Sequence, residues 1–168
     1  MNRELTMSHE QEHERLSTLR RFKSRVPHAA KHQTQILIVD DDAEVATMVD
    51  AIFRKLGCTT SVAFSSREAK SKIVSEKNDL IILDWMLAQN LSADRLLWQA
   101  ISTIEKFDKF SRRVSDHKFK VITYSSLPLS EIGFPENPYF RHVGHWQKPL
   151  RHSDLIKLSL DTLVHIGL

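Results

Sequence analysis

Four short apolar runs in this chain each end in residues able to handle a charged oxygen. Gln35-Ile36-Leu37-Ile38-Val39 stops at Asp40-Asp41-Asp42, and Leu80-Ile81-Ile82-Leu83 stops at Asp84. Phe119 to Tyr124 ends at Ser125-Ser126, and Val143 to Trp146 ends near Lys148-Pro149. Taken singly, an Asp after a strand is usually a turn former or a helix cap. If the four runs lie side by side, however, their ends meet, and clustered carboxylates repel one another. A hard divalent cation removes that cost, and Mg2+ takes a few carboxylates while keeping several waters. A carboxylate beside it can act as a nucleophile and form an aspartyl phosphate. Metal and lysine neutralise the transferring phosphoryl oxygens. A serine hydroxyl can donate to one of them. The compact lysine charge suits a single phosphate contact.

These residues need a scaffold that brings strand ends together. Residues 35–39 and 80–83 are nearly continuous apolar runs, as expected of strands buried on both faces. Thr59 to Phe64 is more polar and alternates, like an edge strand. Between strands the pattern is helical. Val45, Met48, Ile52 and Leu56 share a face, with Gly57 as a stop. Ser65-Ser66-Arg67-Glu68 fits a capping box ahead of Ala69, Ile73 and Val74. A long helix is expected from about Ser92 to Val114, striped by Leu97, Ile101, Ile104, Phe107, Phe110 and Val114. Pro128, Pro135 and Pro138 leave room for at most one short helix in residues 127–140. Ser153 is placed to cap a last helix with Leu155, Leu158 and Val164 inward. Strands alternating with helices require parallel pairing and right-handed crossovers. The expected fold is α/β and flavodoxin-like: a five-stranded parallel sheet of order 2-1-3-4-5 with helices on both faces. Ligands bind such sheets at the carboxyl ends of the strands, where the winding reverses.

Composition narrows the rest. The chain has 168 residues, 41% hydrophobic and 27% charged, a globular balance. No apolar run approaches the ~20 residues of a membrane-spanning helix. The N-terminus lacks a secretory apolar core, so a cytoplasmic location is expected. The single cysteine, Cys58, excludes an intrachain disulfide and a multi-thiolate zinc site. The formal charge of +3 lies in residues 1–33, a polar extension read as helical or disordered; residues 34–168 carry 17 charges of each sign. A neutral folded part argues against nucleic acid. His9/His13 and His28/His32 are spaced for a transition metal if helical, but without further ligands a solvated tail is the better reading.

The four strand-end motifs in this order resemble the receiver domain of two-component response regulators, of the stand-alone type, over residues 34–168. The resemblance implies that Asp84 accepts a phosphoryl group from a histidine kinase or histidine phosphotransfer protein. It implies that Asp40, Asp41, Asp84 and the backbone carbonyl of Met86 hold Mg2+. It also implies that Ser125 and Lys148 contact the phosphoryl oxygens, and that His145 is the switch ring coupled to Ser125. Asp42 is read as a helix cap outside the metal's contacts. The implied protein is a phosphorelay signalling component that signals through an unknown downstream protein target, with a homodimer allowed. It is not an enzyme beyond self-catalysed phosphotransfer and dephosphorylation.

The chain departs from that pattern in places. Trp85-Met86-Leu87-Ala88-Gln89-Asn90-Leu91 lacks the usual proline and glycine after the acceptor. The third helix and the loop after it are extended, around Lys106 to Lys118, and the fourth helix is eroded by prolines. A pseudo-receiver, binding proteins without phosphorylation, is the alternative these departures raise. An aspartate-nucleophile phosphatase is disfavoured, because Met86 stands where a general acid is needed.

Overall fold

The computed structural model describes residues 33–87, 91–111 and 119–165, with the side chains of 91 and 107–111 left out. The expected 1–33 extension therefore falls almost wholly outside the described residues. Five parallel strands form the main sheet: β1 (Gln35–Val39), β2 (Thr59–Ala63), β3 (Leu80–Asp84), β6 (Phe119–Ser125) and β7 (Phe140–Gln147). Their order is β2-β1-β3-β6-β7, the expected flavodoxin-like arrangement. A second, antiparallel ladder joins β4 (Met86–Leu87) to β5 (Leu91–Ser92). Among the described residues, four helices cover the sheet: α1 (Ala43–Lys55), α2 (Ser66–Ser75), α3 (Ala93–Ser111) and α4 (His152–His165).

The order follows from the sequence texture. All five residues of β3 are buried, and it takes the central position. The more polar β2 sits at an edge, with only Ala63 fully buried. Alternate residues serve opposite layers. Leu37, Val39, Ile81, Leu83 and Val121 pack with Ala69, Ile73, Leu96, Leu97 and Ile101 from α2 and α3. Ile36, Ile38, Leu80, Ile82 and Ile122 pack with Val49, Phe53, Leu155 and Leu163 from α1 and α4. Each fully buried aliphatic side chain contributes about 1.5–3 kcal/mol against entropy.

Local signals decide the helix ends. Asp42 caps α1, accepting from the N–H groups of Glu44 at 2.9 Å and Val45 at 3.2 Å. Gly57 ends that helix with a positive φ of 90°, which costs glycine little. Ser65 accepts from Glu68 N–H, while the Glu68 carboxylate accepts from Phe64 N–H, so the capping box forms one residue wide of its usual closure. The prolines of residues 127–140 leave one 3-10 turn, Leu129–Glu131.

In α1 the expected Val45, Met48, Ile52 and Leu56 all pack on the layer of the core shared with α4, joined by buried Ala46, Val49 and Phe53. Three expectations need correction. Ser153 lies within α4, whose first intrahelical bond runs from Leu155 N–H to the Arg151 carbonyl. Val164 is 58% exposed, and Leu160 and Leu163 are buried instead, since α4 turns its 155–159–163 ridge inward. Strand β7 also runs well beyond Val143–Trp146.

Candidate functional site

The carboxyl ends of β1 and β3 are adjacent, with Val39 opposite Leu83, so Asp40 and Asp84 are brought together by register alone. Both are buried although polar, at 2% and 6% exposure. Carboxylate oxygens of Asp40, Asp41 and Asp84 lie within 4.8 Å of one another, and Asp41 is exposed at the mouth. Lys148 is delivered from beyond the end of β7. Its Nζ donates to Asp40 Oδ2 and to Asp84 Oδ2, each at 3.0 Å. Its main-chain N–H donates to the Ser125 carbonyl at 2.7 Å, which ties the end of β7 to the end of β6. The Lys148–Pro149 peptide bond is cis.

The charges do not balance internally: three carboxylates face one lysine. Burial lifts the Asp40 carboxyl above the ordinary carboxylate range, opposed by Lys148 and by the Asp42 N–H. Burial likewise lifts Asp84, opposed by the Met86 N–H and by Lys148. For Lys148 burial works against the charge, but the hydrogen bond and charge of Asp40, with Asp84 behind them, hold the ammonium above its usual value. The surplus negative charge is of the kind a hard cation neutralises, and every donor in the set is oxygen. The residues therefore fit Mg2+.

Met86 contributes through its backbone. Its N–H donates to Asp84 Oδ1 at 3.0 Å. Ala93 N–H donates to the Trp85 carbonyl, which makes Met86 and Ser92 a non-hydrogen-bonded pair of the β4–β5 ladder. The Met86 carbonyl is thus left out of the ladder. This hairpin stands where the proline and glycine were expected; Ala88, Gln89 and Asn90 lie outside the described residues.

Ser125 is fully buried at the end of β6, where its hydroxyl accepts from Leu127 N–H at 3.1 Å. His145 does not meet it. Instead, the His145 Nδ1 lies 2.8 Å from the Thr123 hydroxyl, and His142 Nε2 lies 3.0 Å from the same oxygen. A bulge explains this convergence. Residues three apart on a regular strand face opposite sides, but the register slips between Val121 and Ile122, leaving Val143 as an extra residue. His145 Nε2 is buried without a hydrogen-bond partner among the described residues.

Two residues of the site were missed from the sequence. Tyr124 lies under Lys148, whose Nζ is 4.6 Å from the ring centroid. Thr123 holds both histidines. Both looked like ordinary strand residues, and only the period-2 alternation with Ser125 hinted that Thr123 faces the layer opposite Tyr124.

The fold is that of response-regulator receiver domains. The structure matches a CheY-like receiver domain protein from Methanospirillum hungatei JF-1 with a TM-score of 0.59 and 22% identity, covering 81% of this chain and 98% of that one. It matches a two-component response regulator from Clostridium difficile with a TM-score of 0.59 and 20% identity, covering 81% of this chain and all (100%) of that one. The chemotaxis response regulator CheY4 of Vibrio cholerae matches with a TM-score of 0.56 and 19% identity, over 80% of this chain and 99% of that one. In sequence, 52 residues are 42% identical to the phosphate regulon transcriptional regulatory protein PhoB of Pseudomonas aeruginosa, spanning 31% of this chain and 23% of that protein. No protein-family model matches the chain. Among the described residues, no helix is long and apolar enough to cross a membrane.

Proposed function

We propose that this chain is a phosphoacceptor receiver of two-component signalling, modified on Asp84 by a histidine kinase or histidine phosphotransfer protein. The observation that carries the reading is the convergence of Asp40, Asp41 and Asp84 on one point, with Lys148 donating to two of them. Asp40, Asp41, Asp84 and the Met86 carbonyl are the groups that would hold Mg2+. When bound, the ion supplies charge neutralisation for the phosphoryl oxygens.

The chain's own residues do the rest. A carboxylate oxygen of Asp84 attacks phosphorus, the bond to the donor imidazole nitrogen breaks, and the electron pair leaves with the imidazole. Met86 N–H fixes one Asp84 oxygen, so the carboxylate is oriented before transfer. Lys148 is already poised against the acceptor and can follow charge onto the phosphoryl group. Ser125, whose hydroxyl accepts from Leu127 N–H and still carries its own proton to donate, is the hydroxyl that would contact the phosphoryl oxygens, and His145 is the ring that follows. Signalling then proceeds through protein contacts, with residues 34–168 as the receiver unit.

The test is intact mass spectrometry after incubation with acetyl phosphate and Mg2+. One hydroxylamine-sensitive phosphate is expected, absent with EDTA and absent in Asp84→Asn. An unmodified wild type across several phosphodonors would instead make the chain a phosphorylation-independent binding module.

A further inference from the structure

Beside the start of α3, residues of β5 and α3, with Lys70 of α2, line an open surface groove of about 720 Å³. Its walls include Lys70 from α2 and Arg95, Trp98, Gln99 and Lys106 from α3. A smaller cavity of about 150 Å³ shares Ser92, Arg95 and Gln99, so the groove continues toward the start of α2 at Ser66. Trp98 is 52% exposed, in contrast to Trp85 at 3% and Trp146 at 4%. The other face of α3 is fully used, with Ala93, Leu96, Leu97, Ala100 and Ile101 buried. Trp98 therefore has no role in the core.

We propose that this groove docks an acidic amphipathic helix of a partner protein. Charge sets the sign of the partner. Lys70, Arg95 and Lys106 line the groove and form no ion pair among the described residues. The one carboxylate in the lining, Asp94, accepts a hydrogen bond from the Ser92 hydroxyl beside it. An occupant bearing carboxylates meets three cations and a single occupied anion.

Shape and backbone chemistry set the class. The groove follows α3 from Ser92 to Lys106, roughly 20 Å at 1.5 Å per residue. The lining comes from α3 and from Lys70 of α2, with Ser92 of the short β4–β5 ladder at one end, so most of its length offers no strand edge to an extended peptide. A helix brings its own backbone bonds and presents anchors every three to four residues. Tryptophan and arginine together are the residues that most often anchor protein interfaces. A nucleic acid is the poorer match, because the body carrying this patch has 17 charges of each sign in residues 34–168.

The test uses the full chain and three probes: a 16-residue amphipathic helical peptide with a glutamate face and a leucine face, its lysine-for-glutamate counterpart, and a 12-mer oligouridylate. Binding is read from anisotropy of labelled probes and from the emission of Trp98. The glutamate peptide is expected to bind saturably, to shift Trp98 emission to the blue, and to weaken at higher salt. Trp98→Ala and Arg95→Glu should each lower its affinity ten-fold or more, while Trp98→Phe retains most of it. These residues are exposed, and unchanged circular dichroism separates lost docking from lost folding. Equal binding of the lysine peptide, tighter binding of the oligouridylate, or no saturable binding of the glutamate peptide at millimolar concentration would each overturn the proposal.

Discussion

Lys148 is the residue on which the acidic cluster depends electrostatically. It is the counter-ion to both buried carboxylates, at 3.0 Å from each, and its side chain is 22% exposed. Replacing it with alanine leaves three acids with no cation among them. Lys148→Ala is expected to lose about 2 kcal/mol of stability in EDTA, less than a fully buried pair would cost because water reaches the ammonium. Mg2+ should restore much of that loss and bind at least as tightly as to wild type, since a competing positive charge is gone. Urea unfolding with and without Mg2+ checks both; a variant as stable as wild type in EDTA would contradict the bridging role.

His142 offers a pH prediction at the same scale. Burial pushes its imidazole below the ordinary value of 6.5, and the neighbouring His145 pushes the same way against a backbone contact at Gly144. Around it stand the Thr123 hydroxyl, the His145 ring and the Phe134 ring, stacked at 4.7 Å, and none of these is a carboxylate. The folded state therefore binds this proton more weakly than the unfolded chain. Stability from this group is present above pH 6.5 and is lost as pH falls through the depressed folded value. Ring NMR should show His142 titrating below 6.5 in the folded protein. The fall in Tm between pH 7.5 and 5.5 should shrink in His142→Gln.

At the scale of elements, the end of β1 separates roles among three consecutive acids. Asp40 faces Lys148, Asp41 stands at the mouth, and Asp42 caps α1. Asp42→Ala is expected to cost about 1 kcal/mol, the usual loss of an N-cap, with Mg2+ affinity nearly unchanged. Asp41→Ala should do the reverse. Thermal unfolding and a Mg2+ titration followed by tryptophan fluorescence distinguish them. The β4–β5 hairpin has a comparable positional role: it holds Met86 against Asp84 without a proline or glycine among its described residues. The bulge in β7 places two histidines on one hydroxyl, which a regular strand could not do.

At the scale of the whole molecule, residues 33–165 contain a two-layered core, and every site residue described above lies within that span. Deleting residues 1–32 is expected to leave Tm within a few degrees and Asp84 phosphorylation at the wild-type rate. A truncated protein that fails to fold or to accept phosphate would make the extension part of the domain. The polarity of the extension, with seven Lys or Arg and four Glu in residues 1–33, is the reason for expecting independence.

Much of this was legible in the sequence because it depends on local pattern. Continuous apolar runs marked β1 and β3 as central, alternation marked β2 as an edge, and prolines removed a helix from residues 127–140. The order of the sheet followed from alternation of strands and helices, and with it the meeting of Asp40 and Asp84. Other features were decided only by tertiary packing. Helix faces with several apolar ridges admit more than one rotation, so packing chose Leu163 over Val164 in α4. The bulge at Val143 adds a residue without any sequence punctuation, so the pairing of His142 and His145 through Thr123 could not be read in advance. The stacking of Lys148 on Tyr124 depends on where β7 ends relative to β6, and that register is set by strand pairing across a gap in the sequence rather than by either strand alone.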